Sequence, residues 1–260
     1  MLAASMALSG CSRAQSGPAL PPQSGEANRS ADQIVADAQA AMTATRTYRV
    51  SSENSGKSGS DRFAFAFDDQ GGFSGTVDTA GVHADVVVVG GQVYIRGRAF
   101  WAKVYGGSGI PPGQLQIILS RIADHWAHDP TDVLGLLQGS KQLIPADVPD
   151  CMGVHGKLSK GGTETFNGQF VDVVNDDGSQ PGGMPGRYLV ADAAPHRLLH
   201  ADSHGPQTVG TPPAVGKCPA GNPVAAADVD PTRKTSFTFS DFDSVKAVTK
   251  PSDSVEIAAG

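Results

Sequence analysis

The run Arg62-Phe63-Ala64-Phe65-Ala66-Phe67 constrains this chain more than any other segment, because it sets a phenyl ring on every second residue. In an extended chain successive side chains point to opposite faces, so the three rings share one strongly apolar face. Asp68-Asp69-Gln70-Gly71-Gly72 then supplies a turn, and Phe73 to Val77 returns. His83 to Val89 and Gln92 to Arg96 flank Gly90-Gly91, which is a hairpin signal. Consecutive hairpins imply an antiparallel meander and not βαβ units.

Helical periods bracket this meander. Ser30-Ala31-Asp32-Gln33 reads as a capping box, with Asp32 placed to suit the positive end of the helix dipole. Ile34, Val35, Ala38, Ala41 and Met42 recur on one face, and the helix should end near Thr45. Tyr48 to Glu53 reads as a strand. After Pro111-Pro112-Gly113, the residues Leu115, Ile118, Leu119, Ile122 and Trp126 fit one amphipathic helix. Asp129 is expected to cap a further helix with Pro130 in its first turn, an apolar side of Val133, Leu134, Leu136 and Leu137, and an end at Gly139. Strands resume at Glu164 to Val174, Gly186 to Ala191 and His196 to Asp202. Ser203 to Val229, rich in Pro, Gly and Ala, reads as a long loop pinned by Cys218. Thr235, Phe237 and Phe239 alternate again, and Ser244 to Thr249 is expected to add a last strand. The predicted fold is α+β: a single curved antiparallel sheet, a half-barrel, with about three helices on its concave face.

The N-terminal region sets the expected compartment. Leu8-Ser9-Gly10-Cys11 follows an apolar start and has the pattern of a bacterial lipoprotein cleavage site, with the thiol of Cys11 carrying the lipid. Residues 1–10 lack a positively charged start and are short, so they read as a truncated signal peptide. Residues 11–29, rich in Ser, Gly, Pro, Gln and Ala, read as a flexible tether, and residues 30–260 as one folded domain. With Cys11 lipidated, Cys151 and Cys218 remain as a pair, expected to form a disulfide in an oxidising compartment. In the chain-entropy model such a bridge stabilises by about 4 kcal/mol, less any strain. The formal net charge of −6 argues against nucleic acid as a partner, since phosphate binding needs clustered Lys and Arg. No run of about 20 apolar residues is present for a membrane-crossing helix, so membrane attachment is expected through Cys11.

Three segments bring a family into view: Ala84-Asp85-Val86-Val87-Val88-Val89-Gly90-Gly91-Gln92-Val93-Tyr94-Ile95-Arg96-Gly97 with Phe100-Trp101, Pro195-His196-Arg197-Leu198-Leu199, and Phe239-Ser240-Asp241-Phe242-Asp243-Ser244-Val245 with Pro251 downstream. In these, and in its order of elements after the lipobox, the chain resembles the LppX/LprG-like lipoproteins of actinobacteria. Those belong with LolA and LolB in a wider half-barrel fold. The resemblance implies a lipoprotein anchored at the cell membrane on its outer side, holding an acylated lipid or glycolipid in an apolar cavity between sheet and helices. It implies carriage or presentation in the cell envelope, with an envelope transporter as a further partner and the protein itself a monomer. On this reading the residues expected to line the cavity are Phe63, Phe65, Phe67, Val86, Val88, Val93, Ile95, Leu115, Ile118, Leu119, Ile122, Trp126, Leu134 and Leu137. The same periodicity is equally that of a filled core, which would suit an envelope adaptor or sensor.

Catalysis and metal binding find little in the sequence. No His-Glu-x-x-His, Gly-x-Ser-x-Gly or Walker motif occurs, so no catalytic residue is assigned and no enzyme is expected. His125 with His128, and His196, His200 and His204, have spacings that could bring them together. Neither set has a carboxylate at a familiar metal-ligand spacing, so no metal or cofactor is expected.

Overall fold

The computed structural model describes residues 28–57, 59–107, 109–122, 124–129, 132–139, 143, 148, 156–216 and 218–257. The first helix, α1 (Ala31–Ala44), starts with both halves of the capping box: Gln33 N donates to Ser30 Oγ, and Ser30 N donates to Gln33 Oε1. Thr45 ends it in an extended conformation, and Ala31, Ile34, Ala38, Ala41 and Met42 form its buried face. Just before the helix, Arg29 donates to Asp37 at 3.1 Å and to the buried Asp172 at 2.8 Å, tying the chain's entry point to the sheet.

The sheet has twelve strands: β1 (Tyr48–Gly56), β2 (Gly59–Phe67), β3 (Phe73–Thr79), β4 (Val82–Val89), β5 (Gln92–Arg96), β6 (Trp126–Asp129), β7 (Leu158–Phe166), β8 (Gln169–Asp176), β9 (Gly186–Ala191), β10 (Leu198–His204), β11 (Lys234–Ser240) and β12 (Ser254–Glu256). Their spatial order is β12-β6-β5-β4-β3-β2-β1-β11-β10-β9-β8-β7, in one open curved sheet. Two meanders thus meet where β1 pairs with β11. All pairings are antiparallel except β12 with β6. The Gly90-Gly91 turn joins β4 to β5 with both glycines at positive φ, as a tight hairpin requires.

Register separates two faces. On the inner face, Tyr48, Phe67, Phe73, Val88 and Val93 lie in one row; Val50, Phe65, Gly75, Val86 and Ile95 form the next. These apolar residues belong to one buried cluster with the core faces of the helices. Helix α1 packs over β7 to β10, whereas α2 (Arg98–Gly106) packs over β4 and carries α3 (Pro112–Ile122). A second, smaller cluster of Val171, Val173, Leu189, Ala191 and Leu199 lies on the outer face of β8 to β10, partly covered by Phe166 and Phe242.

Three sequence expectations are corrected here. Trp126 is not on the amphipathic helix: α3 ends at Ile122, and Trp126 opens strand β6. Ala127 pairs with Ile95 and is buried in the inner cluster, so Trp126 faces outward, with the Arg96 guanidinium 4.7 Å over its ring. Second, Asp129 ends β6, and the cap of the short helix α4 (Leu136–Gly139) is Asp132, whose carboxylate accepts from the Leu136 and Leu137 N–H groups. Asp129 still accepts from Val133 N at 2.7 Å, which is why its sequence looked like a cap. Third, residues 244–249 form no strand. The last strand is β12, further along, and it extends the sheet beyond β6.

Residues 241–250 instead run as a strap over the outer face. Asp243 accepts from Arg46 N, Thr47 Oγ1 accepts from Val245 N, and Lys250 Nζ sits 5.3 Å from the buried Tyr94 ring. Asp68 joins the strap to the β2–β3 turn. Its buried carboxylate accepts from Gln70 N and Gly72 N through Oδ1, and from Val248 N through Oδ2 at 2.9 Å. Asp68→Ala would leave these three donors without that acceptor, and a loss of about 2–3 kcal/mol is expected in chemical unfolding. An unchanged unfolding midpoint would show that the strap contributes nothing to stability.

Candidate functional site

The inner face of β11, β1, β2 and β3 lies between the two helix footholds, and it is paved with aromatic rings. Phe63 stacks on Phe65 at 4.9 Å, Phe65 meets Phe73 at 4.8 Å, and Phe73 meets Phe67 at 5.0 Å. Tyr48 continues the series to Phe67 at 5.5 Å and to Phe239 at 5.6 Å, and Phe237 closes it against Phe63 at 6.3 Å. Alternation in each strand puts the rings on one face, and antiparallel register puts the faces together. The result is a continuous aromatic floor.

This floor is closed at one end and open at the other. Tyr48, Phe67, Phe73 and Phe239 are buried, whereas Phe63 and Phe237 are only partly so. At the closed end the Tyr48 hydroxyl donates to the Leu143 carbonyl, and burial pushes its pKa well above the ordinary phenol value. That hydroxyl therefore stays protonated at any physiological pH and serves as a donor.

Of the expected lining residues, Phe65, Phe67, Val86, Val88, Val93, Ile95, Leu119 and Ile122 are buried in the inner cluster. Phe63, Leu115, Ile118, Leu134 and Leu137 pack against it partly exposed. Only Trp126 is misplaced, on the opposite face. Tyr48, Phe73, Phe237 and Phe239 belong to the floor and were not among the expected lining. The Phe237/Phe239 alternation was visible, but its partner β1 lies some 190 residues earlier, so nothing local could place it beside Phe63.

Among the described residues, a mainly apolar cleft opens under α1. Val35, Ala38, Gln39 and Met42 of the helix face Tyr188, Val190 and Leu198 of β9 and β10, with Val148 between. Its volume is about 30 Å³. Ligand pockets for small molecules typically hold about 300–1,000 Å³, so this cleft as it stands takes a few atoms at most. The Tyr188 hydroxyl donates to Asp176 Oδ2 at 3.3 Å, and burial raises its pKa further beyond the phenol range.

The histidines are dispersed. His128 bonds Glu256 at 2.6 Å across the β6–β12 pair, His200 bonds Thr238 Oγ1, and His196 bonds the Ala191 carbonyl. Burial lowers the pKa of His200, which is thus neutral at pH 7. Among the described residues no group of three or more metal-ligating side chains comes together. Cys218 is disulfide-bonded; Cys11 and Cys151 lie outside the described residues. Among the described residues no helix is long and apolar enough to cross a membrane.

No family model matches this chain, and no curated protein matches it. Several solved structures are similar to it. LprF from Mycobacterium bovis is 13% identical with a TM-score of 0.48, over 85% of this chain and 96% of that one. The lipoprotein LppX from Mycobacterium tuberculosis is 13% identical with a TM-score of 0.46, over 83% of this chain and 98% of that one. A LolA superfamily protein from Nitrosomonas europaea is 8% identical with a TM-score of 0.27, over 85% and 98%. LppX, whose name the sequence resemblance carries, is therefore among the structures this chain is similar to.

Proposed function

We propose that this protein is a non-enzymatic lipoprotein, anchored through lipidated Cys11 on the outer side of the cell membrane. It binds an acylated lipid or glycolipid between the inner face of the sheet and the helices, and carries or presents that lipid in the envelope. The observation that supports this reading is the aromatic floor, which spans four strands between two separate helix footholds and is partly exposed at Phe63 and Phe237. Each methylene moved from water onto such a surface gains ~0.8 kcal/mol. Ten of them give roughly 8 kcal/mol gross, which corresponds to about micromolar binding before ordering costs. A disulfide between Cys151 and Cys218 belongs to the same extracytoplasmic reading.

The 30 Å³ cleft favours a second reading, an adaptor or sensor with a filled core and a surface partner site. On the carrier reading, α1 must move away from β9 and β10 to admit a chain. One experiment separates the two. The domain without Cys11 is purified and extracted with organic solvent, and the extract is analysed by mass spectrometry. Stoichiometric acylated lipid is expected on the carrier reading, and its repeated absence favours the adaptor. Phe63→Asp sets a carboxylate on the floor beside Phe65, where an unpaired charge is costly to desolvate. It is expected to lower lipid occupancy roughly tenfold or more. Occupancy equal to wild type would place the lipid elsewhere.

A further inference from the structure

Row by row, the inner face changes from apolar to polar along β1 and β2. The two innermost rows are apolar; the next holds Ser52, Phe63, Val77 and Ala84, and the outermost holds Asn54, Asp61 and Thr79, with Thr235 of β11 paired to Asn54 and the apolar Val82 of β4 paired to Thr79. Asp61 Oδ1 accepts from Thr79 Oγ1 at 2.7 Å, and Lys103 of α2 donates to the Ala80 carbonyl at this same end. The open end of the floor therefore has a polar rim.

Ser52 sits one row inside that rim. Its Cα partners are Phe63 on β2 and Phe237 on β11, the two partly exposed rings. Only 4% of Ser52 is exposed, and its Oγ has no hydrogen-bond partner. Buried hydroxyls in native proteins almost always have one, because desolvation without compensation is costly. A valine or alanine would fill this inner position without that cost.

We propose that Ser52 is a ligand-positioning residue whose hydroxyl donates to the carbonyl of an acyl ester. This rests on the lipid-binding reading above and adds the ligand's chemistry and direction. The acyl chains lie on the floor towards Phe67 and Tyr48, the ester reaches Ser52 as the Phe63 and Phe237 rings, 6.3 Å apart without ligand, swing aside, and the polar headgroup meets the rim of Asn54, Asp61, Thr79 and Thr235. The favoured class is thus an acyl ester of glycerol or a sugar, over a plain hydrocarbon or an ether lipid.

The test compares 1,2-dipalmitoylglycerol with its dihexadecyl ether analogue, which lacks only the two carbonyl oxygens. Each is offered in phosphatidylcholine vesicles to the delipidated full-length protein, and bound lipid is counted by mass spectrometry after re-isolation. Wild type is expected to prefer the ester by about three- to tenfold, the worth of one hydrogen bond. Ser52→Ala is expected to lose that preference while binding the ether as wild type does. Its delipidated form is expected to melt about 2–4 °C higher, since an unpaired buried hydroxyl has been removed. An ester preference retained in Ser52→Ala overturns the proposal and leaves lipid binding standing, as does a lowered Tm, which would mean that the hydroxyl is already satisfied. Failure of wild type to take up either lipid overturns both.

Discussion

Replacing Gly75 by alanine is expected to destabilise the fold by about 3 kcal/mol or more, a large effect for a single methyl group. Gly75 lies in the middle of β3, opposite Phe65. A Cβ there would stand 1.8 Å from the Ala64 carbonyl oxygen and 2.8 Å from the Ala64 carbonyl carbon. Both are backbone atoms, so no side-chain rotation relieves the clash. The chain must instead separate β2 from β3, which breaks the ladder under the closely packed Phe65–Phe73 pair. A glycine inside a strand commonly marks such a close approach or bend, and here it allows the sheet to coil around the helices. Gly106→Ala is the control: it ends α2 with open space around it, and no loss of stability is expected there. The check is urea unfolding of both variants beside wild type. A Gly75→Ala protein with the wild-type midpoint would show that β2 and β3 do not approach as described.

Phe67→Ala is expected to cost about 3–5 kcal/mol, as truncation of a fully buried phenylalanine does. The ring has no solvent exposure and touches three others, Tyr48 at 5.5 Å, Phe73 at 5.0 Å and Phe65 edge-on at 6.3 Å. Each aromatic pair contributes beyond the area it buries, so the loss falls on the whole closed end of the floor. Phe170→Ala serves as contrast. Phe170 is 50% exposed on β8, and its truncation is expected to cost less than about 1 kcal/mol. Thermal or urea unfolding reads the difference. Comparable losses in the two variants would argue that the floor is loosely packed.

The floor also shows how far the sequence could be read. Alternation at Phe63, Phe65 and Phe67 announced a strand with one apolar face, the turn from Asp68 to Gly72 announced its hairpin partner, and Gly90-Gly91 announced the next hairpin, β4 with β5. These are local signals, since a period of two and a tight turn are decided within about ten residues. Ser30 and Gln33 announced the start of α1 for the same reason. The errors arose where a local pattern was ambiguous or where pairing was distant. Trp126 continued the spacing of Leu115, Ile118, Leu119 and Ile122, but a strand pairing with β5 claimed it. Residues 244–249 looked like a strand, yet hydrogen bonds to Thr47 and Asp68 hold them as a strap without ladder partners.

The candidate site divides in the same way. Thirteen of the fourteen expected lining residues belong to the inner cluster or pack on it, because apolar periodicity reports burial reliably. Periodicity carries no information about empty volume, so the 30 Å³ under α1, the partly exposed rings and the unpaired Ser52 hydroxyl could not be foreseen.

By itself the sequence determined that this chain makes hairpins, where α1 starts and ends, and which side of each strand is apolar. Those outcomes follow from backbone sterics, capping and side-chain alternation within short windows. Only the tertiary structure decided that β1 would pair with β11, that seven rings from four strands would form one floor, and that Ser52 would end up buried among them without a partner. Such outcomes depend on contacts between residues nearly 200 positions apart, whose register is selected by the packing of the whole apolar face at once.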